Sequence, residues 1–169
     1  MKKVTLLSMM CLMALSVCVV SGCSRDDVEE TAGNYVDLGL SSGTKWKAVN
    51  EVNSADAEYA FFTYDEAMAQ YGNKLPSREQ WMELVNECEW SWTGMGYKVV
   101  GPNGKNISLP AAGCRICDGS VGDVGSYGYY WSSTPSGSED AWYLYFYSGS
   151  VHMGNYRRCC GQSVRLVQD

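Results

Sequence analysis

One run of alternating side chains near the carboxyl end constrains the fold of this chain more than any other feature. The run covers residues 141–147, and successive residues of a β-strand point to opposite sides of a sheet. Trp142, Leu144 and Phe146 would therefore share one face, which we expect to enter a core. The alternation predicts that the opposite face displays phenol side chains. These belong to Tyr143, Tyr145 and Tyr147.

Residues 1–22 have the pattern of a secretion signal. A basic start at Lys2 and Lys3 precedes an apolar run, and small residues stand directly before Cys23. This order resembles a bacterial lipoprotein signal, and the resemblance implies cleavage before Cys23 and lipid attachment to its sulfur. The alternative is an uncleaved membrane-spanning helix, but the apolar run is short compared with the roughly 20 residues that span a bilayer.

The next segment, residues 23–34, is acidic and contains few apolar side chains. Ser24 resembles an outer-membrane sorting signal, and the stretch 26–30 resembles the export tag of lipoproteins carried to the outside of some Gram-negative cells. A solvated tether explains the same composition. Either interpretation leaves residues 35–169 as one domain, whose length suits an ordinary core.

The charge of the chain argues against one class of partner. The formal net charge is −6, and loss of Lys2 and Lys3 with the signal would make it more negative. Binding to nucleic-acid phosphates needs clustered Lys and Arg, and the sequence contains no such cluster. We therefore predict no nucleic-acid partner.

Local signals predict two helices. Thr63 is placed to cap a short helix that runs to Tyr71 and ends at Gly72. Ser77 followed by Gln80 forms a capping box that starts the second helix. One stripe of this second helix should enter the core. Its residues are Trp81, Leu84, Val85 and Cys88.

Alternating runs between turn residues predict about seven short strands. Their ranges are 35–40, 44–49, 97–100, 106–109, 141–147, 150–156 and 163–167. The first two form a hairpin with Trp46 and Ala48 directed inward, and the next two flank the turn 101–104. Residues 51–60 are predicted as loop, and a glycine-rich loop ends near Gly128. Two helices, about seven strands and long irregular loops indicate an α+β domain.

The cysteines leave several states open. Once residues 1–23 are set aside, five cysteines remain, an odd number that does not indicate a designed disulfide framework. Cys114 and Cys117 form a C-x-x-C pair, which could be redox-active, part of a zinc site, part of a local or loop-to-loop disulfide, or unpaired. Zinc needs four ligands, and His152 is the one histidine. A disulfide between adjacent Cys159 and Cys160 would be strained.

Five stretches resemble a known family. They are YVDLGLSSGTKW (35–46), LPS (75–77), LPAAG (109–113), GYYWSS (128–133) and SVRLV (163–167). In this order they resemble FISUMP-type bacterial surface lipoproteins, and they extend over nearly all of residues 35–169. The resemblance implies a C-type-lectin-like fold, related to that of formylglycine-generating enzymes.

A sharper resemblance is to the variable proteins of diversity-generating retroelements. In those proteins a template is copied unfaithfully at adenines, so asparagine codons become NNC or NNT codons while the fold is retained. This origin would explain the odd cysteine count. Trp142, Met153 and Gln162 cannot arise from such codons, and we assign them to the scaffold. Residues that such codons can specify are Cys114, Ile116, Cys117, Asp118, His152, Gly154, Asn155, Tyr156, Arg158, Cys159 and Cys160.

The related enzymes and lectins raise two activities against which the residues argue. Formylglycine-generating enzymes bind copper with a thiol pair and oxidise a substrate cysteine, and the adjacent Cys159 and Cys160 do not match that spacing. Calcium-dependent lectins carry Glu-Pro-Asn or Gln-Pro-Asp, whereas Gly101-Pro102-Asn103 lacks the leading side chain. No serine triad is supported. We predict no enzyme, no metal and no cofactor.

The tyrosine-rich composition of the last third completes the prediction. Tyrosine gives large amphipathic contact area at low entropic cost, and arginine adds hydrogen bonds and stacking. We expect a lipid-anchored outer-membrane protein, facing the cell exterior, that binds an unidentified protein, glycan or phage ligand without catalysis. The alternatives are a non-diversified glycan-binding or structural lipoprotein of the same fold, and a copper oxidase-like enzyme. The predicted ligand-binding residues are Ile116, Asp118, Tyr143, Tyr145, Tyr147, His152, Gly154, Asn155, Tyr156, Arg158, Cys159 and Cys160.

Overall fold

The computed structural model describes residues 35–54 and 60–169. The predicted signal 1–22, the lipid-attachment residue Cys23 and the tether 23–34 lie outside the described residues, as does part of the predicted loop 51–60. Within the described part of the chain, neither helix has the length and apolar character needed to cross a bilayer.

The described residues form two α-helices and eleven β-strands, which gives a mixed α+β architecture. The helices are α1 (Tyr64–Tyr71) and α2 (Arg78–Glu87), with a 3-10 helix at Gly72–Lys74 between them. The strands are β1 (Tyr35–Asp37), β2 (Lys45–Lys47), β3 (Glu89–Trp92), β4 (Gly96–Val100), β5 (Asn106–Pro110), β6 (Cys114–Arg115), β7 (Val121–Gly122), β8 (Tyr127–Ser136), β9 (Asp140–Tyr147), β10 (Ser150–Arg157) and β11 (Val167–Gln168).

Both helices begin at the predicted caps. The Thr63 hydroxyl accepts from the backbone N–H of Glu66, whose carboxylate accepts from the N–H of Thr63. Ser77 and Gln80 exchange the same two bonds at the start of α2. Each capping box satisfies backbone donors that the first helical turn leaves unpaired. Gly72 ends α1, as predicted, with a positive φ of 48°.

The strands pair antiparallel in small sheets. The first hairpin, β1 and β2, is joined by β11, so the two ends of the domain share one sheet. A second sheet has the order β3-β4-β5, and β6 pairs with β7. The last sheet has the order β8-β9-β10, with β9 in the middle, and is called here the carboxyl-terminal sheet.

The carboxyl-terminal sheet lies between two apolar clusters. On one side, Leu144 and Phe146 pack in a cluster with Trp81 of α2 and with side chains from β2, β4 and β5. On the other side, Trp131 and Tyr143 pack in a second cluster with side chains from α1. Each large side chain that is fully buried contributes about 1.5–3 kcal/mol. The two clusters therefore hold this sheet in a fixed position.

Four strands, β3, β6, β7 and β8, were not predicted from the sequence, which placed about seven strands. Strand β3 follows α2 directly, with Cys88 as the helix C-cap, and no turn residue separates the two elements. In β8, the consecutive residues Tyr130, Trp131 and Ser132 are all buried, so the strand shows no regular alternation. The cause is that both sides of this strand are covered: Tyr130 packs in the α2 cluster and Trp131 in the α1 cluster.

The predicted strand 163–167 is wrong, because strand structure is confined to Val167–Gln168. Residues 161–167 are all buried and run between other elements. Their backbone groups bond to several neighbours rather than to one: Ser163 O accepts from Trp131 N, and Val164 O accepts from Glu51 N. The polar side chains of Gln162, Ser163 and Arg165 are therefore buried together with the apolar ones.

Candidate ligand-binding site

One side of the carboxyl-terminal sheet carries aromatic side chains from all three strands. The alternation predicted for β9 is confirmed, because Leu144 and Phe146 are buried in the α2 cluster while the tyrosines point to the other side. Trp142 is half-buried, with the guanidinium of Arg78 4.3 Å from its ring centroid. The side of the sheet that carries the tyrosines of β9 is called here the tyrosine face. Its residues are Tyr127, Tyr129, Tyr143, Tyr145, Tyr147, His152, Gly154 and Tyr156.

The antiparallel register places these rings next to one another. Tyr127 lies opposite Tyr147, and Tyr145 lies between Tyr129 and His152. The ring centroids are 5.2 Å apart for Tyr127 and Tyr147, and 5.3 Å apart for Tyr145 and His152. Aromatic pairs at such distances attract each other. The tyrosine face is therefore a preordered surface rather than a set of freely rotating side chains.

Exposure varies along the tyrosine face. Tyr143 is 9% exposed, because its end of the sheet is covered by the α1 cluster. Tyr147 is 38% exposed and Tyr156 is 42% exposed. His152 is also exposed, and its Nε2 is hydrogen-bonded to the hydroxyl of Ser150. The accessible part of the face thus presents two phenols and one imidazole to solvent.

Gly154 determines where the Tyr143 ring can lie. A Cβ atom added at Gly154 would be 2.9 Å from Tyr143 Cε1, closer than real Cβ contacts. The glycine lies directly opposite Tyr143 in the register of β9 and β10, so the ring can lie across it. Any larger residue at this position would displace the ring.

A pocket of about 170 Å³ opens beside the tyrosine face. Its walls combine aromatic, apolar and polar side chains from β6 and the loop after it, the loop after β7, strands β8 to β10 and the segment 161–167. They are Cys114, Ile116, Asp123, Tyr129, Tyr143, Tyr156 and Gln162. The volume is below the range of typical small-molecule pockets, so the pocket suits a group about the size of one side chain.

Two of the pocket tyrosines remain protonated over the physiological range. Burial, followed by the hydrogen bond to Asp123, raises the pKa of Tyr129 far above its ordinary value. Burial raises the pKa of Tyr143 to about 12, with further contributions from Tyr145 and Tyr156. The hydroxyl of Tyr129 therefore donates a hydrogen bond to Asp123 Oδ2, at 2.7 Å between the two oxygens.

Two predicted binding residues lie away from the tyrosine face. Asn155 is exposed, but it pairs with Trp142 and points to the opposite side of the sheet. Arg158 follows β10, where its Nε and Nη2 donate to the carbonyl oxygens of Asp140 and Gly137. Its guanidinium carbon lies 4.8 Å from the ring centroid of Tyr64. The guanidinium of Arg158 therefore stabilises the turn between β8 and β9.

The loop after β6 contains two other predicted residues, of which Ile116 lies at the pocket. Ile116 is 42% exposed and lines the pocket. Asp118 is exposed and accepts hydrogen bonds from the backbone and the hydroxyl of Ser120. These hydrogen bonds, chiefly the one from the Ser120 hydroxyl, hold the pKa of Asp118 below its usual range. Asp118 is therefore ionised at neutral pH.

The cysteines form a disulfide between two loops, one of the states left open by the sequence. Cys117 is bonded to Cys159, across a separation of 42 residues. Cys160 is a buried free thiol whose sulfur lies 3.0 Å from that of Cys117. Cys114 is also buried and free, and burial raises its pKa to about 11. The loop of Ile116 is thus linked covalently to the end of β10.

Replacing Cys159 with serine is expected to leave one disulfide in the chain. Cys160 lies beside Cys117 and can form the bond when the variant is oxidised under the same conditions. The measurement is alkylation of the unfolded, unreduced chain, followed by mass spectrometry. The Cys159→Ser variant should take up one alkyl group fewer than the original chain, and Cys117→Ser one more. Equal uptake by the two variants would contradict the expectation that Cys160 replaces Cys159 in the disulfide.

Four pocket residues were not predicted as binding residues: Cys114, Asp123, Tyr129 and Gln162. Asp123 and Tyr129 lie in or next to the glycine-rich segment, where nothing in the sequence links them to β9. Gln162 was assigned to the scaffold, and its backbone is indeed fixed by two bonds to Phe62. Its side chain nevertheless lines the pocket. Only the long-range pairing of the strands brings these residues together.

Comparison with known proteins identifies one similar family. A family described as "Domain of unknown function (DUF8237)" matches residues 92–167. The matched segment extends from the end of β3 to the start of β11 and includes the tyrosine face and the pocket. No curated protein and no solved structure matches the chain. The similarity is therefore to a domain whose description assigns no activity.

Proposed function

We propose that this chain is a surface-displayed ligand-binding protein, whose recognition surface consists of the exposed part of the tyrosine face and the adjoining pocket. It binds by shape and hydrogen bonds and carries out no covalent chemistry. We further propose that it has a C-type-lectin-like fold and is a variable protein of a diversity-generating retroelement. Its proposed place is the outer membrane, facing outward and anchored through a lipid on Cys23.

The observation that carries the binding proposal is the preordered series of aromatic rings beside an open pocket. Tyrosine side chains already held in place lose little freedom when a partner binds. Tyr147, His152 and Tyr156 are accessible on one face of a sheet whose other face is fixed by the α2 cluster. A rigid support with exposed amphipathic side chains is what recognition requires.

The family resemblance is supported by where its motifs lie. The LPS stretch 75–77 includes the cap of α2, and the GYYWSS stretch 128–133 supplies buried residues of β8. The SVRLV stretch 163–167 is the buried segment beside it. The shared motifs are thus scaffold residues, while four codon-compatible residues lie at the site. These are Ile116, His152, Gly154 and Tyr156.

Two libraries of the full chain test whether the proposed surface is suited to recognition. The first varies four exposed residues of the site, and the second varies four exposed residues on the outer side of β3, β4 and β5. Both are displayed on cells and selected against the same panel of proteins and glycans. The site positions are Ile116, Tyr147, His152 and Tyr156. The control positions are Glu89, Ser91, Lys98 and Ser108.

We expect the site library to yield specific binders at least tenfold more often than the control library at equal display levels. Equal yields, or loss of display from the site library alone, would reject the proposed surface. Sequencing the gene and its downstream DNA tests the diversification separately. We expect NNC or NNT codons at the named positions and a downstream near-repeat that differs at adenines. Unrelated codons without a repeat would reject the diversification and favour an invariant binding protein.

A further inference from the structure

The pocket beside the tyrosine face contains a buried polar atom that lacks a partner. Gln162 is 1% exposed, and its Oε1 has no hydrogen-bond partner among the described residues. The backbone cannot shift easily to supply one, because Gln162 N donates to Phe62 O at 2.9 Å and Gln162 O accepts from Phe62 N at 3.0 Å. A buried acceptor of this kind is satisfied by a ligand that brings a donor.

A carboxylate at the same pocket adds a second acceptor. Asp123 accepts one bond from Tyr129, at 2.7 Å, and an ionised carboxylate has capacity for more. The loop position of Asp123 is fixed, since its carbonyl oxygen accepts from the N–H groups of Ser126 and Tyr127. Asp123 is exposed, so its unused lone pairs are accessible to a donor.

Three aromatic rings complete the pocket. The ring centroids of Tyr129 and Tyr143 are 6.1 Å apart, and those of Tyr143 and Tyr156 are 6.0 Å apart. The faces of aromatic rings attract cations. No side chain among the described residues that line the pocket is positively charged. The pocket therefore offers acceptors and negative potential, while Ile116 offers an apolar contact.

We propose that this pocket binds a primary ammonium group on an aliphatic stem, as presented by a lysine side chain of a protein partner. This inference rests on the proposed function, since it names the chemistry that the same site recognises. The ammonium supplies three donors for Asp123 and Gln162, and its charge is placed among the rings of Tyr129, Tyr143 and Tyr156. The stem lies against Ile116.

The test is isothermal titration of the full chain with two probes that differ in the cation alone. N-acetyl-lysine amide carries the ammonium, and N-acetyl-norleucine amide has a similar stem without it. We expect the lysine probe to bind at least tenfold more tightly than the norleucine probe. Equal binding of the two probes, or binding of neither, would overturn the proposal without depending on any variant.

Variants locate the binding site of the lysine probe. Asp123→Asn retains an oxygen for Tyr129 and suits the positive φ of 64° at this position, so the loop should persist. Its affinity for the lysine probe should fall about fivefold or more, because the charge is lost. Glu89→Gln, on the outer side of β3, removes an equal charge elsewhere and should leave affinity unchanged. Equal affinity of Asp123→Asn and the original chain would exclude this pocket.

The two proposals can fail separately. If the site library yields binders but the lysine probe does not bind, the recognition surface stands and the ammonium site is rejected. If the lysine probe binds and Asp123→Asn abolishes binding, while both libraries yield equally, the pocket stands and the wider recognition surface is rejected.

Discussion

Replacing Arg165 with methionine is expected to lower the free energy of unfolding by roughly 3–5 kcal/mol. Arg165 is 1% exposed. Its guanidinium donates to the carbonyl oxygens of Lys47, Ala48 and Ser108, and to Asn50 Oδ1. Methionine fills much of the same space but donates no hydrogen bond, so these four partly buried hydrogen bonds would be lost. The measurement is urea unfolding followed by tryptophan fluorescence.

Two variants separate the loss of this network from a general effect of losing an arginine. Arg157→Met removes an exposed guanidinium near the end of β10 and should change stability by less than about 0.5 kcal/mol. Arg165→Lys keeps the charge but has no planar fork for four acceptors, so its stability should lie between those of Arg165→Met and the original chain. A loss below about 1 kcal/mol for Arg165→Met would contradict the assigned role.

Replacing Gly128 with alanine is expected to destabilise the protein by about 2–3 kcal/mol, through overpacking. The added Cβ would lie 2.1 Å from Phe146 Cζ and 2.5 Å from its Cε2. Phe146 cannot move aside freely, because it is fully buried and its ring centroid lies 5.3 Å from that of Tyr97 and 5.8 Å from that of Tyr130. Thermal and urea unfolding of the variant measure the effect.

Gly122 in β7 provides the matched control. A Cβ at Gly122 would meet no heavy atom within 4 Å, so Gly122→Ala should alter stability by no more than about 0.5 kcal/mol. Combining Gly128→Ala with Phe146→Leu should recover part of the loss, since the smaller side chain makes room for the added methyl group. A double variant less stable than the sum of the two single changes would argue against the steric explanation.

The sequence predicted those elements whose signals are local. Thr63 with Glu66 and Ser77 with Gln80 are capping pairs three residues apart, and both helices begin there. The alternation of β9 is likewise contained within eight residues. Strand β8 was missed because its surroundings determine its burial. Tyr130 and Trp131 enter clusters on opposite sides of the sheet, so consecutive buried residues replace the alternation.

The site was predicted only in part, because some of its residues carry a local signal and others meet only through long-range contacts. Tyr143, Tyr145 and Tyr147 follow from the alternation of one strand, but the pocket requires Asp123 and Gln162 to meet Tyr143 across several elements. The disulfide joins Cys117 and Cys159 over 42 residues, and nothing in their spacing selects that pair over one with Cys160. Asn155 was assigned to the site from composition, whereas the register of β10 turns it to the other side.

The contact between Gly154 and the Tyr143 ring has a consequence for how the site could change its specificity. Gly154 is absent from the pocket wall, yet any side chain there would push the ring that forms part of that wall. A substitution at this one position could therefore change the shape of the cavity by moving the Tyr143 ring, without changing the identity of any residue in the pocket wall. Mapping of contacts in a complex would overlook this residue, while comparison of variants selected for different partners would reveal it.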